Sequence, residues 1–422
     1  MPIHLADLAI WPITIASIVL VLLRPRRIPE YIWASAGALL LVLTRLVPWR
    51  QALGSVREGT NVYLFLTGMM VLSEVARLHG VFDWLAEHAM EQAHGSRLRL
   101  FVLIYGVGIA VTALLSNDAT AVVLTPAVLA VVRRRGRSMS PMPYLFACAF
   151  TANAASFVLP ISNPANLIVF DGNLPSLAVW LKTFLLPAVV AIAGTFALLY
   201  WHNRKELAGT IDDDCVPAQL NVKGRIAALG ILFSALLLLL ISAAGRPLGP
   251  PTCAAALLVL LAVSAKDFRS ILTAVREISW GVLPLVASLF VLVEAMNHAG
   301  AQPLTVAALR HMEQWSPVAG ATAAAFGIGL AANVINNLPM GLIGAGALRA
   351  VGATPLLHAA VLLGIDFGPN LSVSGSLATI LWLIALRREK IEVSAGRFLR
   401  AGLFIMPPVL LLAVLALVLT TR

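Results

Sequence analysis

The 422-residue sequence has few charges and few cysteines. Only 12% of its residues are charged and 59% are hydrophobic, whereas a soluble domain is nearer half apolar and a quarter charged. Its three cysteines, Cys148, Cys215 and Cys253, lie far apart and form no CxxC pair, which argues against a disulfide framework or a thiolate metal site. Neither GxxxxGK[ST] nor HExxH occurs, so the chain has no P-loop of its own and no zincin motif. We expect no cofactor and no enzymatic activity.

Long apolar runs fill most of the chain, and many approach or exceed the roughly 20 residues that a bilayer-spanning helix needs. We predict an all-α polytopic membrane protein with about ten transmembrane helices. They lie at about 5–23, 31–47, 61–78, 142–169, 176–200, 224–244, 251–265, 279–298, 355–386 and 397–420. Two further segments, 98–132 and 316–350, are long enough to enter and return, and each carries polar residues near its middle. We interpret both as re-entrant hairpins.

The formal net charge of +10 does not point to nucleic acid, because the Lys and Arg residues cluster between the apolar runs. With the N-terminus outside and both hairpins re-entrant, most of the 30 Lys and Arg residues fall in cytoplasmic loops, in agreement with the positive-inside rule. This asymmetry predicts a multi-pass protein of the cytoplasmic (inner) membrane with both termini outside.

Three polar landmarks recur in the same order in the two halves of the chain. LSEVARLHG resembles LVEAMNHAG, 220 positions later, and the same offset places Asn117 on Asn337. LPISNPANLI also pairs with LSVSGSLATI. We predict a first repeat over 1–203, a central cytoplasmic loop over 204–223 and a second repeat over 224–422. Each repeat would hold five crossings and one hairpin, so the second would be inverted, which is typical of secondary transporters.

Polar residues interrupt four apolar segments at matched places. They are Ser116–Asn117–Asp118, Asn336–Asn337–Leu338–Pro339, Ser162–Asn163–Pro164–Ala165–Asn166, and Gly368–Pro369–Asn370 with Ser372, Ser374, Gly375 and Ser376. Irregular backbone survives within a membrane only where protein or a water-filled cavity covers it. Helix ends exposed at such breaks carry partial charge and bind anions or polar solutes. We expect all four breaks to meet near the midplane and form one site.

Two carboxylates, Asp118 and Asp366, lie inside these breaks. Intramembrane carboxylates are costly and mark ion or proton pathways, so we interpret both as proton-coupling groups, with helix capping as the alternative. Glu74 and Glu294 lie nearer helix ends, where interfacial or structural pairing is favoured. The acidic stretch from Asp83 to His94 is better explained by an interfacial amphipathic helix than by a metal site.

The sequence resembles the arsenical pump membrane proteins, the ArsB-type arsenite and antimonite efflux permeases of the ion transporter superfamily, over nearly its full length. The matching stretches are SNDATAVVLTP, NNLPMGLIGA and, most specifically, DFGPNLSVSGSLATILWL. The resemblance implies export of trivalent arsenic or antimony in exchange for protons. The implied substrate-binding residues are Ser116, Asn117, Thr125, Ser162, Asn163, Asn166, Asn336, Asn337, Gly375 and Ser376. It also matches Asp118 and Asp366. The chain departs from the family pattern at Met340, Asn370 and Ser372–Val373.

Partners also follow from the resemblance. In some organisms such a permease docks a soluble ArsA-type ATPase, and relatives with this fold are often homodimers. Arsenite is mostly neutral As(OH)3 near neutral pH, and no Lys or Arg falls within the four breaks. The alternatives are a sodium- or proton-coupled transporter of a dicarboxylate or inorganic oxyanion, and a channel-like subunit that depends on a partner ATPase.

Overall fold

The computed structural model describes residues 5–135, 139–170, 174–211, 219–264 and 268–421, and within these ranges it is helical without strands. Asp212–Asp214 and Cys215, in the predicted central loop, lie outside the described residues. The first half contains α1 (Leu5–Leu23), α2 (Glu30–Leu43), α3 (Trp49–Glu58), α4 (Thr60–Leu78), α5 (Val81–Gln92), α6 (Arg97–Leu114), α7 (Asn117–Ala119), α8 (Thr125–Arg135), α9 (Met142–Ala154), α10 (Pro164–Val169) and α11 (Leu177–Leu207).

The second half contains α12 (Val222–Ala243), α13 (Gly249–Ser264), α14 (Phe268–Glu277), α15 (Val282–His298), α16 (Ala301–Glu313), α17 (Pro317–Ile335), α18 (Asn337–Val351), α19 (Pro355–Phe367), α20 (Leu377–Arg388) and α21 (Ala395–Thr420). Short 3-10 turns occur at Pro25–Arg27 and Gly368–Leu371. A π-helical turn at Thr120–Leu124 joins α7 to α8. The all-α architecture with interrupted apolar helices is as predicted.

Six helical stretches in the described ranges are long and apolar enough to cross a membrane, judged by length and composition alone. Four contain or match predicted transmembrane helices, and the other two, α6 and α17, are the first arms of the predicted hairpins. The bent pair α4–α5, with an angle of 59°, would make a seventh. The other predicted crossings are short apolar helices within α1, α2 and α13, or the broken pairs α9–α10 and α19–α20.

The sequence interpretation missed α3, α14 and α16. These helices are short and apolar on one face only, so they leave no long apolar run to detect. Two of them contact the ends of long helices through polar side chains. Gln51 of α3 donates to Glu294 of α15 at 2.7 Å. Arg77 of α4 pairs with Glu74 at 2.6 Å and with Glu277 of α14 at 3.6 Å. Glu74 and Glu294 are therefore structural pairing residues, as favoured from the sequence.

The acidic stretch after α4 also has the structure expected of it. It forms α5, which buries Val81, Phe82 and Ala86 while Asp83 stays exposed. No group of three or more His, Cys, Asp or Glu side chains in the described part of the chain could hold a metal ion. An amphipathic helix accounts for the whole stretch.

Helices with the same place in the two halves pack reciprocally. α4 packs against α13 while its counterpart α15 packs against α2, and α10 packs against α18 while its counterpart α20 packs against α7 and the π-helical turn. Two copies related by a two-fold axis produce such exchanged contacts. The offset of 220 residues carries α6 onto α17 and the start of α7 onto the start of α18. The division of the chain into repeats at residues 203 and 224 stays a prediction.

Glycines allow α19 to lie directly against α17. A Cβ on Gly364 would lie 2.4 Å from the carbonyl oxygen of Ala325, and one on Gly368 would lie 2.5 Å from Gly329 Cα. Small residues let helix backbones approach in this way in membrane proteins. This contact holds the second broken helix against the first arm of the second hairpin.

Candidate functional site

The second arm of each interrupted segment begins with a buried polar residue that caps the new helix. Ser116 Oγ accepts from Ala119 N at 3.2 Å, and Asn163 Oδ1 accepts from Ala165 N at 3.0 Å. Asn336 Oδ1 accepts from Leu338 N at 3.3 Å, and Ser376 Oγ accepts from Thr379 N at 3.1 Å. These bonds satisfy N–H groups that a helix start leaves without partners. Capping at the first break thus belongs to Ser116 and not to Asp118.

Each hairpin tip is bonded to the break of the broken helix in its own half. We call Ser116–Asp118 the first tip and Asn336–Pro339 the second tip. The backbone N–H of Asn117 donates to Ser162 O at 3.0 Å, and that of Asn337 donates to Gly375 O at 2.9 Å. The same contact therefore occurs twice and brings each tip to the adjoining break. That all four breaks meet near the midplane stays a prediction.

Side-chain hydrogen bonds then join the two halves. Asn163 Nδ2 donates to Asp366 Oδ1 at 2.9 Å. Asn153 of α9 donates to Asn370 Oδ1 at 3.1 Å and accepts from Ser376 Oγ at 3.1 Å. Two groups of buried hydrogen bonds thus link the breaks of the two broken helices, and we call them together the break network.

Two members of this region were not identified from the sequence. Asn153 lies in the last turn of α9, directly before the break, but the sequence interpretation placed the interruption later, at Ser162–Asn166. Asn333, in the last turn of α17, donates to Gly368 O at 2.9 Å and accepts from Ser372 Oγ at 2.6 Å. Its position matches Ala113 at the offset of 220, so the repeat gave no signal for it either.

Two predicted substrate-binding residues use their side chains locally. Thr125 Oγ1 donates to Thr120 O at 3.0 Å, across the π-helical turn of its own helix. Asn166 Nδ2 donates to Ser156 O at 3.0 Å and to Leu159 O and Pro160 O at 3.3 Å. These bonds order the turns around the site, and binding of substrate by Thr125 or Asn166 stays a prediction.

The two aspartates have different surroundings. Asp118 is partly exposed, and its carboxylate makes no hydrogen bond or ion pair with any residue that the structure describes. Asp366 is only 1% exposed, and it accepts from Asn163 through Oδ1. At the offset of 220 the counterpart of Asp118 is Leu338, so the carboxylate occurs at one tip only.

Three buried side-chain atoms at the breaks have no hydrogen-bond partner among the described residues, and all three are oxygens. They are Asn166 Oδ1, Asn337 Oδ1 and Asp366 Oδ2. Their helices converge: a Cβ on Gly341, one turn after Asn337, would lie 3.4 Å from Ile168 Cγ2 and 4.0 Å from Ile365 Cδ1. Unpaired buried polar groups are costly, so each of these oxygens is suited to accept a hydrogen bond from a ligand. We call the place where α10, α18 and α19 pack together the junction.

Comparison with known proteins gives the family. Residues 18–365 match the CitMHS family, described as citrate transporter. The chain is 28% identical to an arsenical pump membrane protein of Escherichia coli, over 96% of this chain and 97% of that protein. It is also 28% identical to an arsenical pump membrane protein of Yersinia enterocolitica, over 85% of this chain and 86% of that protein. The resemblance found in the motifs is confirmed.

A solved structure has a similar fold. The crystal structure of the YdaH transporter of Alcanivorax borkumensis, described as having an unusual topology, superposes with a TM-score of 0.56. It shares 15% sequence identity and covers 88% of this chain and 87% of its own. Together with the interrupted helices and the break network, these similarities show that the chain belongs to the CitMHS (citrate transporter) family within the ion transporter superfamily, and that it is a multi-pass membrane transporter and not an enzyme.

Proposed function

We propose that this transporter exports trivalent arsenite, and antimonite, from the cytoplasm in exchange for protons. The names of its relatives, arsenical pump membrane proteins matched over nearly the whole chain, support this substrate. The substrate form is the neutral trihydroxide, a small solute with three O–H donors. In this proposal the junction of α10, α18 and α19 binds it.

The observation that carries the proposal is the chemical character of the unpaired atoms at the junction. Asn166 is oriented by the three carbonyls to which its amide nitrogen donates, so its free atom is an acceptor. Asp366 Oδ2 and Asn337 Oδ1 are acceptors as well. A neutral polyol satisfies acceptors with its own O–H groups, whereas an oxyanion brings further acceptors. No Lys or Arg lies within the four breaks to balance an anionic charge.

Proton coupling is assigned to the two aspartates. An isolated carboxylate away from water is strongly disfavoured in its charged form, and Asp118 has no described partner to stabilise it. Asp366 accepts from the amide of Asn163 through Oδ1, and the hydroxyl of Ser156 lies beside the carboxylate. In the proposed cycle an inward-moving proton binds a carboxylate when the trihydroxide is absent. The transporter therefore binds the proton and the trihydroxide alternately.

The membrane arrangement belongs to the same proposal. The two hairpins enter from opposite faces, both termini lie outside, and the protein resides in the cytoplasmic membrane, as the distribution of Lys and Arg favours. A soluble ATPase of the ArsA type and a homodimer are further proposed partners, supported by the family resemblance alone.

The proposal is tested by arsenite uptake into proteoliposomes that contain only this protein, with an imposed pH gradient that is acid inside. We expect uptake that stops when a protonophore dissipates the gradient. The family description favours a second candidate, citrate, so citrate is assayed in the same vesicles with and without sodium. Citrate uptake without arsenite uptake would replace the proposal by that anion transporter.

A further inference from the structure

A narrow crevice connects the turn between α1 and α2 with the second tip. One wall is formed by α1 and α15, and the opposite wall by the first residues of α18 and α20. Glu30, the first residue of α2, and the buried Asn336 of the second tip both line it. The α1–α2 turn is at the protein surface, since Arg26 is exposed. The crevice, which we call the Glu30 crevice, thus has in its lining both a residue next to this surface turn and a residue of a break.

The walls of the Glu30 crevice are hydrocarbon. Ile18 and Val21 contribute from α1, and Leu285 and Leu289 contribute from α15. Among the described residues that line it, only Glu30 and Asn336 are polar. A neutral trihydroxide gives up hydrogen bonds to water in such a passage, but a multiply charged anion gives up far more solvation free energy against apolar side chains.

An ion pair joins Glu30, in the crevice lining, to the turn between α1 and α2. Arg24 Nη2 lies 2.5 Å from Glu30 Oε2, and the two side chains are only 23% and 12% exposed. Arg24 adopts a left-handed backbone conformation with φ of 47°, which is uncommon for a residue with a side chain. Its Nε is buried and has no hydrogen-bond partner among the described residues. The turn thus places the guanidinium beside Glu30, which lines the crevice.

We infer that the Glu30 crevice is a substrate access path to the second tip and that the Arg24–Glu30 ion pair is its gate. The inference deepens the proposed function and rests on it for the identity of the substrate. The two charges cancel, so a neutral solute meets no net charge at the entrance. An anion that took Arg24 as its partner would leave Glu30 partly buried without a counter-charge, which is unfavourable.

A steric test uses Leu289→Trp, which fills the middle of the crevice. We expect arsenite uptake to fall at least about tenfold, because each tenfold change needs only about 1.4 kcal/mol at the barrier. Leu40→Trp is the matched control, since Leu40 is exposed on α2 and does not line the crevice. Wild-type uptake by folded Leu289→Trp protein would overturn the path.

A labelling test needs no transported substrate. It tests the path even if the Leu289→Trp protein fails to fold. All three cysteines are first replaced by alanine, and Leu289→Cys is then introduced. We expect a small neutral thiol reagent to modify this cysteine much faster than a Leu41→Cys control, because Leu41 is fully buried away from the crevice. Equal rates would overturn the path. Labelling without arsenite uptake would instead keep the path and remove the proposed substrate.

The gate is tested on the same Leu289→Cys background by comparing a neutral with an anionic thiol reagent. Glu30→Gln leaves Arg24 without its carboxylate partner. We therefore expect the rate of modification by the anionic reagent to rise at least about fivefold relative to that by the neutral one, a size typical of a charge interaction near a protein surface. The exchanged pair Arg24→Glu with Glu30→Arg should restore the wild-type ratio. An unchanged ratio in Glu30→Gln would overturn the gate.

Discussion

The amide nitrogen of Asn163 donates a 2.9 Å hydrogen bond to Oδ1 of Asp366. Asn163 caps α10 in the first half of the chain, and Asp366 lies near the end of α19 in the second half. The one carboxylate that is fully buried at the breaks is therefore held by a residue from the other half. A proton or substrate that binds Asp366 therefore meets a carboxylate that is hydrogen-bonded to the cap of α10.

Loss of this bond should destabilise the protein. Asn163→Ala removes the donor and leaves Asp366 buried without it, which we expect to cost about 1–3 kcal/mol. The midpoint of thermal unfolding in detergent measures the loss. In a double-mutant cycle, Asn163→Ala combined with Asp366→Ala should cost less than the sum of the single changes, because contacting residues couple. Additive losses would show that the two side chains act independently.

Asp118→Asn should abolish proton-driven export while the protein folds normally. Because the Asp118 carboxylate has no described partner, its replacement by an isosteric amide should change stability by less than about 1 kcal/mol. Arsenite uptake under an imposed pH gradient should fall to the level of empty liposomes. Asp83→Asn, on the exposed face of α5, is the matched control and should transport normally. Unchanged proton-driven uptake by Asp118→Asn would sink the coupling assignment.

Asn117→Ala and Asn337→Ala should impair transport while each tip keeps its backbone hydrogen bond to the adjoining break. Each tip is tied to its break through the backbone N–H, which alanine retains. The loss of the amide side chain should lower transport at least about tenfold if a hydrogen bond to substrate is worth about 1–2 kcal/mol. Asn203→Ala is the control, since Asn203 donates only within α11, at 2.8 Å to Leu199 O. Near-normal arsenite resistance in both tip variants would remove these side chains from the site.

Gly375→Ala should disrupt the second break, whereas Gly106→Ala should not. A Cβ on Gly375 would lie 2.5 Å from Asn333 Oδ1 and 2.6 Å from Pro369 Cα, and the proline backbone cannot easily yield. A Cβ on Gly106, in α6, meets nothing within 4 Å. We expect Gly375→Ala to lower the free energy of unfolding by about 1–3 kcal/mol, as overpacking of a core does. The yield of folded protein, or transport by it, should fall as a result. Chromatographic monodispersity and arsenite uptake report both, and wild-type behaviour of Gly375→Ala would contradict the contact.

The breaks could be predicted from the sequence because polar residues stand out in apolar runs. Ser116 and Asn163 interrupt such runs, and both cap new helices in the structure. Their partners could not be predicted in the same way. Asn153 lies in the last turn of α9, within a long apolar run, and its role depends on α20 and the Gly368–Leu371 turn, more than 200 positions away. Likewise α3 and α14 hold their places through tertiary contacts that no local pattern reports.

The first and second tips are made alike but do not carry the same chemistry. In a dimer of two identical half-length chains, every residue would occur at both tips, so a carboxylate at one would be a carboxylate at the other. Here the first tip carries Asp118, and the matching position of the second tip is occupied by Leu338. The backbone hydrogen bonds of the two tips are nevertheless equivalent. Joining both copies in one polypeptide is what permits that difference. A single ionisable group at one of two matching positions is a property that a dimer of identical half-length chains cannot encode.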